Sequence, residues 1–357
     1  MVEIPIRNIY YLLCYAWNKL EERDLVNVDA EAFKDLPNLF AKVLANGLSH
    51  LFKKGLDRNY IAEDHEYPGI KGKLLLSETL KRSSIIKGRT HCSFDEFSHD
   101  VLHNQLLKAT LVRLLHYDGL SKKVREEISV MHQRFHNVSD IKLNRRLFFQ
   151  VTLHRNNSFY KFLLNICLLI HDNLLFDQSK GTWNFRDFIR DEDQMAALFE
   201  KFILNFYKRE LSKEWNVSVE IIKWQAVALS GSSLDYLPRM KTDISLTSRS
   251  RKIIIDAKYY KEAMVRHYDS DKFRAGHVYQ MNAYMTNVDT SGCEGKSIEG
   301  ILIYPTVETS FNQSFKLPNG YLLGFQTLDL RDDWQAIEMS LLRAIKSTIT
   351  EELKRFI

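Results

Sequence analysis

Beyond Asp191 the sequence follows an order that few architectures can absorb. Apolar residues at helical spacing run from Asp191 to about Trp215, and strands are expected from Val217 to Ala226, from Met240 to Thr247 and from Lys252 to Lys258. A helix from Asp271 to Asn287 and a strand from Ile298 to Tyr304 follow, which makes the succession α-β-β-β-α-β. Asn319-Gly320 then predicts a hairpin turn, and Leu341, Leu342, Ile345, Ile349 and Leu353 mark a closing helix. The expectation is a mixed central sheet flanked by helices.

The earlier half reads differently. Ile9, Leu12, Leu13, Ala16, Trp17 and Leu20 recur at helical spacing, as do Leu39, Phe40, Val43, Leu44, Leu48, Leu51 and Phe52. From Tyr60 to Leu80 the Pro68-Gly69 turn, Gly72 and the run Leu74-Leu75-Leu76 instead suggest short strands joined by tight turns. A helix from about Asp100 to His116 comes next, so an α+β domain is expected over residues 1–160 and a second domain over 161–357. No repeat of solenoid period is present.

The length is itself a prior for two domains, 357 residues against about 150 per domain. Lys and Arg exceed Asp and Glu by 50 to 45, which permits a polyanion partner without demanding one. Cys14, Cys92, Cys167 and Cys293 lie far apart with no C-x-x-C pair, which argues against a zinc ribbon or a disulfide scaffold. The first residues lack the regions of a secretory signal, and the longest apolar run, Phe162 to Ile170, is interrupted by Asn165 and far short of a membrane span. A cytoplasmic chain with no membrane partner is expected.

Chemistry concentrates in one stretch. In a strand Asp256 and Lys258 share a face, and a hairpin turning at Ser248 to Arg251 would bring Asp243 to the same sheet edge. Two carboxylates suit magnesium, which takes oxygen ligands and keeps several waters; Asp243 and Asp256 would be ligands, with the Ala257 carbonyl a third. Lys258 could orient a water or stabilise developing charge. On spacing alone the set equally fits a charged edge of an ordinary hairpin. His99 and His103 have the i, i+4 spacing of a metal pair, but no third ligand accompanies them and a structural role is favoured. No G-x-S-x-G elbow occurs, and no cysteine sits in a recognisable histidine context.

D-x(12)-D-x-K with an apolar strand before the second Asp resembles the PD-(D/E)xK nuclease motif, whose fold core has the same α-β-β-β-α-β order. Glu200 lies where that superfamily often has a helical acid, although a solvated surface charge is the alternative. Gln280 with Tyr284 resembles its Q-x-x-x-Y element, although a helix pair packing on the sheet is equally open. Tyr259, Tyr260, Tyr279 and Tyr284 could flank DNA or complete a core. Lys241, beside Asp243, could meet phosphate or solvent.

Ile4-Pro5-Ile6-Arg7-Asn8-Ile9-Tyr10-Tyr11-Leu12-Leu13-Cys14-Tyr15-Ala16-Trp17 strongly resembles the opening of McrC proteins. Pro68-Gly69-Ile70-Lys71-Gly72-Lys73, Phe94-Asp95-Glu96 with Asn104, Leu237-Pro238-Arg239-Met240 and Asp256-Ala257-Lys258-Tyr259-Tyr260-Lys261 extend the resemblance over nearly the whole chain. It implies a magnesium-dependent endodeoxyribonuclease subunit of a type IV restriction system. Its partner would be an McrB-type AAA+ GTPase ring that binds the GTP and recognises DNA with modified cytosine. The amino-terminal domain would dock on that ring and stimulate its GTP hydrolysis, with Lys71, Lys73, Lys81, Arg82, Lys87 and Arg89 as candidate contacts. Consistent with this, the chain has no G-x-x-x-x-G-K-[ST] loop of its own. The alternatives are a free-standing nuclease that needs no GTP, and a non-cleaving adaptor that only stimulates a GTPase.

Overall fold

The computed structural model describes residues 4–25, 33, 35–154, 157–177, 179, 181–259, 264–267, 270–288, 297–306 and 310–346. Helix α1 (Ile6–Ala16) opens the chain. After it come α2 (Leu36–Lys54), β1 (Asn59–Tyr67), β2 (Lys73–Leu74), α3 (Leu76–Lys81), β3 (Thr90–Ser98), α4 (Leu102–Leu115), α5 (Lys122–Gln133), α6 (Arg145–Gln150), α7 (Phe159–Asn173), β4 (Leu174–Asp177) and β5 (Thr182–Phe185). Two compact units result: residues 24–186, and residues 1–23 together with 187–357.

The division therefore falls elsewhere than 160/161, at both ends for a packing reason. Asn8, fully buried on α1, donates to the carbonyls of Leu330 (2.7 Å) and Asp332 (2.9 Å), which ties the first helix to the carboxy-terminal unit. At the other boundary α7 buries Phe162, Leu163, Ile166 and Cys167 and packs on α2 and α4, so residues 161–186 stay with the preceding unit. Both associations join segments distant in sequence, which local patterning cannot show.

In the unit of residues 24–186, β1 and β3 form a long antiparallel pair from Asn59↔Ser98 to Tyr67↔Thr90, with β2 beside β3. The expected strand character of Leu74-Leu75-Leu76 ends at Leu74, because Leu76 opens α3. His99 and His103 do not face one metal: Arg58 Nε donates to His99 Nε2 (2.8 Å), whereas His103 Nε2 lies 3.0 Å from Asp57 Oδ2. They brace the root of the β1–β3 pair. Among the described cysteines, Cys14, Cys92 and Cys167 are buried thiols, and Cys293 lies outside the described residues. Among the described residues no helix is long and apolar enough to cross a membrane.

The other unit continues with α8 (Glu192–Glu210), β6 (Asn216–Ser218), β7 (Ile221–Ile222), β8 (Met240–Lys241), β9 (Ile244–Thr247), β10 (Arg251–Ala257), β11 (Met264–His267), β12 (Ser270–Phe273), α9 (Ala275–Asn287), β13 (Ser297–Pro305), β14 (Asn312–Lys316), β15 (Leu322–Leu328) and α10 (Trp334–Lys346). Six strands form one mixed sheet in the order β14-β15-β13-β10-β9-β6, with β10, β13 and β15 parallel at its centre. The Ser248 to Arg251 turn closes the β9–β10 hairpin, and Asn319-Gly320 lies in the β14–β15 hairpin, both as expected. Ile349 and Leu353, expected in the closing helix, lie outside the described residues.

Helix α8 is capped by Asp191, whose side chain accepts from Gln194 N, and it carries Glu192 and Asp193 at its start and Lys208 and Arg209 at its end, complementing the helix dipole. Its buried face, Met195, Leu198, Phe199, Phe202, Ile203, Phe206 and Tyr207, repeats at three and four residues. Tyr15 of α1 meets Phe202, Phe206 and Trp334, so α1, α8 and α10 share one aromatic core. Helix α9 packs on β13 through Gly300, where an added Cβ would lie 2.6 Å from Met281 and 2.8 Å from Met285. The helix expected from Asp271 starts only at Ala275, because Phe273 ends a strand and stacks on Phe325 with ring centres 3.8 Å apart.

Candidate active site at the end of the β9–β10 hairpin

The β9–β10 ladder ends at the pair Ile255↔Ile244, so the next residues on the two strands are Asp256 and Asp243. The hairpin alone brings them to one edge. A second feature aims Asp243. Between the pairs Ser218↔Ser245 and Ile221↔Lys241 one strand has Val219 and Glu220, the other Thr242, Asp243 and Ile244. That extra residue is a β-bulge, a device that re-aims side chains beside functional sites. It also splits the strand expected from Val217 to Ala226 into β6 and β7, with residues 223–239 forming no strand.

The bulge is pinned. Thr242 is buried; its N donates to the Glu220 carbonyl (2.9 Å), and its Oγ1 accepts from Glu220 N (3.0 Å). Glu220 in turn receives Lys252 Nζ at 2.6 Å on both carboxylate oxygens. The chain before Asp243 is thereby fixed to the sheet that carries Asp256.

Asp243 Oδ2 accepts a hydrogen bond from Ala257 N at 2.9 Å. Burial, first, and the neighbouring Asp256 charge, second, push the Asp243 carboxyl up to about 7, with Glu200 adding to the rise; the Ala257 N–H and the Lys258 charge oppose it. Asp256 is 1% exposed, and neither of its carboxylate oxygens has a hydrogen bond. Lys258 Nζ lies 2.7 Å from Asp256 Oδ2, an ion pair without hydrogen-bond alignment. The same ammonium donates to Gln280 Oε1 (3.0 Å), Gln280 Nε2 donates to the Tyr284 hydroxyl (2.7 Å), and that hydroxyl donates to the Lys241 carbonyl (2.9 Å). Gln280 and Tyr284 thus hold the lysine and the strand before Asp243.

Not every expected residue joins the cluster equally. Glu200, half-buried on α8, reaches Asp243 through its charge. Ala257 contributes its N–H to Asp243. Tyr259 packs edge-on against Phe199, and burial pushes its hydroxyl up to about 12. Tyr279 is 72% exposed on α9, and Tyr260 and Lys261 lie outside the described residues. Lys241 is exposed.

His277 was not singled out by the sequence reading, although its spacing of three and seven residues from Gln280 and Tyr284 places all three on one helix face. Its Nδ1 lies 3.0 Å from the Tyr304 hydroxyl, and burial, then the Lys258 charge, lower its pKa, while the Asp256 charge opposes. Among the described residues no group of three or more His, Cys, Asp and Glu is gathered for a metal ion. The fit of a cation therefore rests on the two carboxylates. A buried carboxylate with two unbonded oxygens, beside a second whose charge is disfavoured, suits a divalent ion that needs few protein ligands.

Comparison with known proteins bears on the family of the chain. Residues 7–305 match the model of a family described as McrBC 5-methylcytosine restriction system component. The type IV methyl-directed restriction enzyme EcoKMcrBC of Escherichia coli (strain K12) is 34% identical over 339 residues, spanning 95% of this chain and 96% of that protein. A chain in the refined half-complex from the tetradecameric assembly of Thermococcus gammatolerans McrB AAA+ hexamers with bound McrC superposes with a TM-score of 0.61. The superposition covers 99% of this chain and 76% of that one, and at 16% identity it is a likeness of fold. On the family match and the extent of the Escherichia coli alignment, the chain belongs to the family of McrBC 5-methylcytosine restriction system components.

Proposed function

We propose that this chain is the magnesium-dependent endodeoxyribonuclease subunit of a GTP-dependent restriction assembly directed at modified cytosine, with a PD-(D/E)xK site built from Asp243, Asp256 and Lys258. The observation that carries the reading is the buried Asp256 carboxylate, left without hydrogen bonds next to Asp243. Leaving such a group unsatisfied is expensive unless a ligand completes it. Asp243 and Asp256 would hold the metal, with the Ala257 carbonyl as a further oxygen. Bound there, magnesium would supply positive charge against the scissile phosphate and lower the pKa of water.

The remaining roles belong to the chain itself. Lys258, steadied by Gln280, presents its ammonium to the phosphoryl oxygens as negative charge builds on them. The Ala257 N–H fixes the orientation of Asp243, and the Gln280–Tyr284–Lys241 chain keeps the lysine and the bulge in register. Glu200 adds negative charge at the same edge.

The McrB AAA+ hexamers of the Thermococcus gammatolerans assembly, which carry bound McrC, suggest a comparable partner for this chain, an McrB-type ring that binds GTP and selects the modified DNA. The β1–β3 pair and the segment between its strands are the proposed coupling element, because Ile70, Ile85, Ile86 and Phe97 are each more than half exposed there. Of the basic residues proposed beside them, Lys71 stacks on Phe94 at 3.7 Å, and Lys81 and Arg82 pair with Glu78.

The test is cleavage of methylated and unmethylated plasmid by the chain with its AAA+ partner, GTP and magnesium, alongside Asp256→Ala and a no-partner control. Cleavage that requires methylation, partner, GTP and Asp256 is expected. Cleavage without partner or GTP would select the free-standing nuclease, and stimulated GTP hydrolysis with no cleavage would select the adaptor.

A further inference from the structure

Between β7 and β8 the chain leaves the sheet and returns through residues 223–239, and every residue from Gln225 to Arg239 is exposed. A solvated loop of this length is ordinarily polar, whereas this one carries Val227 at 89%, Leu229 at 78% and Tyr236 at 88% exposure. It is nonetheless built. Trp224 Nε1 donates to the Pro238 carbonyl (2.8 Å) across its base, and Gln225 N donates to Asn287 Oδ1 (2.8 Å), tying it to the end of α9. Near its far end Ser233 caps the short turn Leu234–Tyr236, its Oγ accepting from Asp235 N at 3.1 Å.

Its place and its charge identify an occupant. The returning strand β8 ends at Lys241, and Asp243 follows two residues later, so the loop stands on the strand that delivers the proposed metal ligand. The exposed Lys223, Arg239 and Lys241 stand at its stem, against a single acidic residue, Asp235, in residues 223–241. Exposed apolar side chains on both arms of the loop, above a basic stem, complement a nucleic-acid duplex, where cations meet the phosphates and apolar side chains enter between base steps or against sugar edges. We propose that residues 223–241 form a wedge that holds the scissile DNA at the nuclease site, with Lys223, Arg239 and Lys241 on the backbone and Val227, Leu229 and Tyr236 in the groove. The inference rests on the nuclease reading above and specifies how that site keeps its substrate.

The experiment uses the full chain assembled with its AAA+ partner on methylated duplex containing 5-bromodeoxyuridine, irradiated and mapped by mass spectrometry, together with plasmid cleavage. Three proteins are compared: wild type, Asp256→Ala, and the combined variant Val227→Ser, Leu229→Ser, Tyr236→Ser. The wedge requires cross-links within residues 223–241 in the wild type and in Asp256→Ala, and about a tenfold or greater loss of cleavage by the loop variant. Exposed substitutions leave the unfolding temperature nearly unchanged, which that measurement verifies for the variant. Wild-type cleavage with no cross-link in the loop and full activity of the loop variant would overturn the wedge while leaving the nuclease intact. Absence of cleavage and of cross-links anywhere on the chain would overturn both. A loop variant that dissociates a self-associated form of the chain in sedimentation, with no cross-link lost, would assign the loop to a second copy and not to DNA.

Discussion

The two ends of β10 treat buried charge in opposite ways. At its start, Arg251 meets Glu299 through two hydrogen bonds of 2.7 Å, and Lys252 meets Glu220 and the Thr247 hydroxyl, so each buried charge is matched. At its end, Asp256 has one ion pair and no hydrogen bond, and Asp243 is pushed toward neutrality. The matched end joins strands and helix α10, since Arg251 also donates to the Ile345 carbonyl. The other end is held more sparsely, by the Asp256–Lys258 ion pair and the Ala257 N–H on Asp243. Buried charge that is fully hydrogen-bonded serves the structure, and a buried carboxylate with an ion pair but no hydrogen bond is the mark expected of a ligand site.

Substitutions at the two ends should therefore separate activity from stability. Asp256→Ala is expected to lower cleavage by about a thousandfold or more, the scale of losing a preorganised electrostatic group, with the smaller loss of stability of the two, because Lys258 keeps its hydrogen bond to Gln280 and Asp243 is relieved of a like charge. Glu299→Ala is expected to do the reverse, destabilising by roughly 3 kcal/mol by stranding a partly buried Arg251, read by denaturant unfolding. Equal losses of stability at both sites would break the comparison.

The pH response gives a second, smaller contrast. Because the folded Asp243 titrates near 7, above its ordinary carboxylate value, the folded state binds the proton more tightly than the unfolded chain. The metal-free protein should lose stability as pH rises from about 4 to about 7 and level off above that. Magnesium competes with that proton, so its stabilisation should be small at pH 5 and full at pH 8, by thermal unfolding; Asp243→Asn should abolish both trends. The smallest expected effect concerns the bulge. Thr242→Val removes the acceptor of Glu220 N at nearly constant volume, and a destabilisation of about 1–2 kcal/mol is expected. A drop in cleavage beyond what unfolding explains would show that the bulge positions Asp243.

Much of this was legible in the sequence, and the exceptions share a cause. The D-x(12)-D-x-K spacing, the Ser248 to Arg251 turn and the Asn319-Gly320 turn are local, and local turn chemistry sets hairpin register. Long amphipathic stretches such as α2 and α8 are also local, and their periodicity placed them. The bulge at Thr242 to Ile244 was not legible, because it exists only as a mismatch between two strands paired across residues 216–247. The place of α1 was hidden for the same reason: Asn8 and Tyr15 find their hydrogen-bond partners 195 or more residues away. His277 stood in plain view at helical spacing, but its link to the site runs through the charges of Lys258 and Asp256, which spacing does not show.

The most direct measurement is calorimetric titration of Mg²⁺ or Mn²⁺ into the folded chain at pH 8, compared with Asp243→Asn, Asp256→Asn and Glu299→Gln. If the unmatched carboxylates are a metal site, the wild type and Glu299→Gln bind the ion and the two aspartate variants, still folded, do not. Binding retained by the aspartate variants, or absent from the folded wild type, would contradict the assignment of this edge as the metal site.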